Sequence, residues 1–143
     1  MSSRELKFAP DGAMLREVRS KVRELASSLG ASESVCDSLA LVVDELVNNA
    51  IEHGATYRRE GDELKLSFTA NGDRLEVEFF DPEMPADQVQ VLAEALAETS
   101  NGMPSLDSER GRGLFLLSVY LEDLLAEMAT SGGLRLFGSI HCK

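Results

Sequence analysis

Asp44-Glu45-Leu46-Val47-Asn48-Asn49-Ala50-Ile51-Glu52-His53 is the stretch on which the reading of this chain turns. Wound as a helix, it puts Glu45, Asn48, Asn49, Glu52 and His53 at i, i+3, i+4, i+7 and i+8 on one face, while Leu39, Val43, Leu46 and Ala50 share another. An ordinary outer stripe carries long, solvated Lys and Glu; this one carries two adjacent short amides that helix propensity disfavours. A carboxamide oxygen can ligate a hard cation such as Mg²⁺, which keeps several waters and completes its shell with phosphate oxygens. Glu45 lies one turn from Asn49 and can serve there as a general base. A hydrogen-bonded structural stripe would carry the same residues, so this helix alone leaves both readings open.

Toward the N-terminus, Leu6 and Phe8 before Pro10-Asp11-Gly12 predict a short strand and a turn. Leu15, Val18, Val22, Leu25 and Leu29 then recur at helical spacing and predict a helix over 12–29, closed by Gly30. Ser32-Glu33 starts the second helix, which carries the opening stretch to His53 and ends at Gly54. Over 62–80 the period changes to two. Leu64, Leu66 and Phe68 alternate with Lys65, Ser67 and Thr69, and after a tight turn at Asn71-Gly72, Leu75, Val77 and Phe79 alternate with polar residues. Asp81 continues the parity of Leu75, Val77 and Phe79, so its carboxylate faces the core side and needs a donor, from the protein or from a ligand amine.

Beyond Pro82, Val89 to Leu96 reads as helix, and Thr99-Ser100-Asn101-Gly102-Met103-Pro104-Ser105 reads as a loop that could act as a lid. Gly111-Arg112-Gly113 ahead of Leu114-Phe115-Leu116-Leu117 suits a glycine turn opening a helix whose free amides bind an anion; a plain helix start fits as well. Leu124–Met128 and Leu134–Ile140 close the chain as a hairpin around Ser131-Gly132-Gly133.

A chain of 143 residues reads as one domain over 1–143, with a single core. No apolar run is long enough to cross a bilayer, and Met1-Ser2-Ser3-Arg4-Glu5 lacks a signal-peptide core, so a soluble, cytoplasmic protein is expected. The net charge of -11 disfavours nucleic acid and anionic membranes as partners; it suits a basic protein partner, or solubility alone. Cys36 and Cys142 form neither a C-x-x-C pair nor a Cys/His cluster, which argues against zinc or redox chemistry.

An acid-and-amide helix, an aspartate at a strand end, and a glycine turn before a helix, in that order, resemble the ATP-binding domain of gyrase, heat-shock chaperones, histidine kinases and mismatch-repair ATPases, the Bergerat fold. The resemblance implies an α+β two-layer sandwich, with a mixed, mostly antiparallel sheet covered on one face by helices. Val18-Arg19 and Gly111-Arg112-Gly113-Leu114-Phe115-Leu116 look most like the bacterial anti-sigma-factor serine kinases, over about Leu6 to Ile140.

Carried over, the resemblance makes Glu45 the catalytic base, Asn49 the ligand that holds Mg²⁺ against the triphosphate of ATP, and Asp81 the acceptor of the adenine amino group. Gly111, Arg112, Gly113 and Leu114 would run along the phosphates under a lid of roughly 99–110, and His53 would be a helix-end or partner-facing residue. The implied partners are a sigma factor or similar client and a small antagonist protein that is phosphorylated on serine; homodimers are common in the family. The sequence departs from the family pattern at Glu83, where glycine is usual, and at Gly133, where a threonine is common after glycine. A non-catalytic module that regulates its partner by sequestration is therefore the alternative function. A detached histidine-kinase catalytic domain fits less well, since only His53 and His141 are present and no dimerisation helix carries a phosphoacceptor.

Overall fold

In the computed structural model, which describes residues 2–100 and 109–143, the alternating stretch forms the middle of a five-stranded sheet. Strands β1 (Ser3–Phe8), β2 (Leu64–Asn71), β3 (Arg74–Asp81), β4 (Glu122–Met128) and β5 (Leu134–His141) lie in the order β1-β2-β3-β5-β4. Each neighbouring pair among them is antiparallel. Period-two alternation sends Leu64, Leu66, Phe68, Leu75, Val77, Phe79, Leu134 and Leu136 to one side, where all are buried. The β2–β3 register pairs Asn71 with Arg74, so the loop is Gly72-Asp73, one residue later than expected. Gly72 takes the positive φ of 64° that a two-residue hairpin loop demands of its first position.

The buried face is covered by α1 (Leu15–Ser28), α2 (Glu33–Gly54), α3 (Ala86–Ser100) and α4 (Glu109–Tyr120), with a single 3₁₀ turn at Gly12–Met14 ahead of α1. α1 ends as its sequence demands: Gly30 at φ 95° allows the amides of Gly30 and Ala31 to turn back onto Ser27 and Ala26. Ser32 caps α2, its hydroxyl accepting from the Val35 amide at 3.3 Å. Val18, Val22 and Ala26 of α1 and Leu39, Val43, Leu46 and Ala50 of α2 are buried in the core that the helices share with the sheet. Arg19 pins the two helices together through Asp44 at 3.0 Å.

α3 is longer than the expected 89–96 because Val89, Leu92 and Leu96, all buried, set a stripe that polar residues at both ends extend. Among the described residues no helix is long and apolar enough to cross a membrane.

Candidate functional site

The polar stripe of α2 divides according to what packs beside it. Asn48 and Glu52 are exposed, whereas Glu45 and Asn49 are half-buried because α4 lies across them. Together with Leu46, Gly113, Leu114 and Leu117 they line a cavity of about 10 Å³, on the threshold for one water. Gly113 is what lets the helices approach: a Cβ there would overlap the Glu45 carboxylate. His53 is partly buried near the end of α2 and does not line this cavity.

The glycine turn expected at 111–113 is helix instead. α4 begins at Glu109, so Gly111 and Arg112 belong to its first turn and Gly113 to its second. Glycine in a helix costs about 1 kcal/mol relative to alanine, and the burial of Leu114 and Leu117 offsets it. The amides of a helix's first turn have no intrahelical partner, which is the property an anion needs. Residues 101–108 of the expected lid lie outside the described residues.

Asp81 ends β3 with its side chain fully buried, as its parity required, and the donor it needed comes from the protein. Arg58 makes a two-pronged bond to it, Nη1 to Oδ1 at 2.6 Å and Nη2 to Oδ2 at 2.8 Å. The Tyr57 hydroxyl donates to Oδ2 at 2.8 Å, and the Glu83 amide reaches Oδ1 at 3.3 Å. A carboxylate offers about four acceptor positions, and all are filled.

Local sequence builds this cluster. α2 stops at Gly54, and the amides of Tyr57 and Arg58 both donate to the Gly54 carbonyl, at 3.1 and 2.8 Å, folding the chain back over β3. Gly54 also makes room: a Cβ there would stand 2.7 Å from Arg58 Nη2. That nitrogen further donates to the Ala50 carbonyl at 3.3 Å, and the guanidinium lies 4.9 Å from the centre of the Tyr57 ring. Arg58 Nε is the one buried side-chain polar atom among the described residues with no hydrogen-bond partner.

Burial, then the hydrogen bond and charge of Asp81, push the Tyr57 hydroxyl pKa up. For Arg58 burial opposes the charged form, but the hydrogen bond and charge of Asp81 outweigh it and the pKa is raised.

The two departures from the expected pattern now have physical reasons. Gly133, at φ 83°, backs onto β3 so closely that a Cβ would come within 2.5 Å of the Asp81 carbonyl oxygen and of Pro82 Cα. No hydroxyl-bearing residue fits there. Glu83 turns its side chain to solvent and contributes its backbone amide to Asp81.

At the α2–α4 end, a carboxamide beside a carboxylate fits the oxygen-ligand demand of Mg²⁺. The Asp81 end does not fit a base amine in this arrangement, because no acceptor position is left. Tyr57 and Arg58 escaped the sequence reading. The inward parity of Asp81 signalled a missing donor, yet nothing in the spacing says that the chain after Gly54 folds back to supply it.

The family model of the histidine kinase-like ATPase domain matches residues 8–135, a span that contains Glu45, Asn49, Asp81 and Gly113. No curated protein matches the chain. The match covers most of the sequence, and helices on one face of an antiparallel sheet are the sandwich that such a domain requires; the chain belongs to the histidine kinase-like ATPase domain family.

Proposed function

We propose that the protein is a cytoplasmic, ATP-dependent protein-serine kinase of the anti-sigma-factor type, which binds a sigma factor or similar client and phosphorylates a serine on a small antagonist protein. The observation that carries this reading is the convergence of Glu45 and Asn49 with Gly113 of α4 in one cavity. Phosphoryl transfer asks the protein mainly for positioning and charge neutralisation. Asn49 would hold Mg²⁺, which neutralises phosphate charge when bound. Glu45, one turn away, would take the proton of the attacking seryl hydroxyl while the new O–P bond forms and the bond to the leaving nucleoside diphosphate breaks. The first turn of α4, which holds Gly111 and Arg112, would meet the phosphates with its N-terminal amides, with Gly113 and Leu114 one turn behind it.

Incubation with γ-labelled ATP, Mg²⁺ and candidate antagonists tests the reading. Phosphoserine on an antagonist is the expected product. Glu45→Ala is expected to abolish transfer while sparing nucleotide binding, and Asn49→Ala to weaken both. A folded, Mg²⁺-supplied protein that binds ATP but labels no seryl antagonist would refute the kinase assignment.

The second reading, a non-catalytic module that acts by sequestration, is favoured by one observation: Asp81 has no acceptor position to offer a base. Such a module would capture its client with equal affinity with and without Mg²⁺-ATP, whereas a kinase in a partner switch would not.

A further inference from the structure

The Arg58–Asp81 pair is built more elaborately than a structural ion pair requires. Gly54 is shaped for it, Tyr57 backs it, and the pair is desolvated, with Arg58 12% and Asp81 0% exposed. One donor is nonetheless left over: Arg58 Nε is buried and unbonded, so the docked guanidinium is incompletely satisfied. The pair also occupies the carboxylate that the nucleotide reading assigns to base recognition.

Resting on that reading, we propose that Arg58 is the specificity-determining residue of the base end: its guanidinium occupies Asp81 in place of the exocyclic amine of adenine, so that docked Arg58 and an adenine amine on Asp81 exclude one another. Adenine offers an N–H donor to a carboxylate, as does each prong of the guanidinium, and Asp81 cannot accept both sets. Pairing of the adenine amine with Asp81 therefore requires the turn after α2 to release Arg58, whereas a base that leaves Asp81 alone binds with Arg58 docked. A base without an exocyclic amine gains nothing from that release, because it cannot replace the lost donors.

Two substitutions weaken the docked state without removing either charge. Gly54→Ala places a methyl 2.7 Å from the flexible tip of Arg58, whose guanidinium supplies its three nearest neighbours, on a glycine without positive φ, so it expels the guanidinium at little cost to the backbone. Tyr57→Phe removes one donor from Oδ2 and opens one acceptor position.

The experiment is calorimetric titration of the full chain with Mg²⁺-ATP and with Mg²⁺-purine riboside triphosphate, which lacks the amine. Wild type is expected to bind ATP, and both variants to bind it more tightly, on the order of tenfold for Gly54→Ala. The purine analogue is expected to bind wild type and variants within about twofold of one another. A purely structural ion pair predicts the opposite: weaker or unchanged ATP binding by folded variants overturns the role of Arg58 while leaving the nucleotide site standing. No nucleotide binding by wild type or either variant overturns the nucleotide reading itself, and the competition with it.

Discussion

At the residue scale, the energetics gather at Asp81. A buried carboxylate is tolerable only while its partners hold, and removing one partner of such a pair typically costs about 3–5 kcal/mol. Arg58→Ala should therefore lower the chemical-denaturation midpoint by an amount equivalent to that range. Replacing both partners together, as Arg58→Met with Asp81→Leu, should recover most of the loss, because an apolar pair carries no desolvation penalty; a double variant as unstable as Arg58→Ala would refute this account. Tyr57 adds a pH dependence. An unfolded tyrosine ionises near pH 10, and the folded Tyr57 resists ionisation because it is buried against Asp81. The stability it contributes is thus fully present below about pH 10 and declines as pH rises from there toward the folded pKa. Equilibrium unfolding from pH 8 to 11 should show a shallower alkaline loss in Tyr57→Phe than in wild type, and identical slopes would exclude the coupling. The need for a donor at Asp81 was legible in the period-two register, but the identity of the donor was not. That depends on a backbone reversal of four residues whose cause, two amides on one carbonyl, leaves no periodic trace.

At the element scale, hydrophobic period placed the helices and strands well, since each buries a single face. Boundaries moved where polar residues carried a helix past its apolar stripe, as at both ends of α3, and where a glycine pair suggested a turn but packing made helix, as in α4. Gly113 separates these influences. Alanine there should gain up to about 1 kcal/mol of helix propensity, but its methyl would overlap the Glu45 carboxylate. Overpacking of that kind costs typically 1–3 kcal/mol. Gly113→Ala is therefore expected to be net destabilising, and adding Glu45→Ala should reverse the sign by removing the obstacle while keeping the propensity gain. Denaturation of the two single variants and the double variant closes the cycle; additive effects would mean that the two residues do not meet.

At the scale of the whole molecule, one sheet face is sealed by helices, and the candidate site occupies the seam where α2 meets α4 at one end and β3 at the other. The sheet side of that seam is the fixed one, since Leu64, Leu66, Phe68, Leu75 and Val77 are all fully buried. Among the described residues, Glu45, Asn49 and Gly113 enclose about 10 Å³, and a triphosphate bound between them would need the helices and the turn that carries Arg58 to move. Any cost of that opening is already contained in the observed Kd, so the coupling between nucleotide and fold follows mass action on the native state alone. At about 100 times Kd, a ligand that binds only the folded chain adds about 2.7 kcal/mol, and for a domain of this size each kcal/mol moves Tm by about 2–4 °C. Saturating Mg²⁺-ATP should therefore raise Tm by roughly 5–10 °C. Asn49→Ala should lose the part of that shift that disappears with a chelator, while Glu45→Ala should keep it, because a base that acts only on the attacking hydroxyl holds no metal. A thermal scan of the three proteins with ATP, with and without Mg²⁺, decides the matter: equal Mg²⁺-dependent shifts in wild type and Asn49→Ala would remove Asn49 as the metal ligand, and an unmoved Tm in wild type at millimolar Mg²⁺-ATP would leave the closed seam as the resting architecture of a sequestering module.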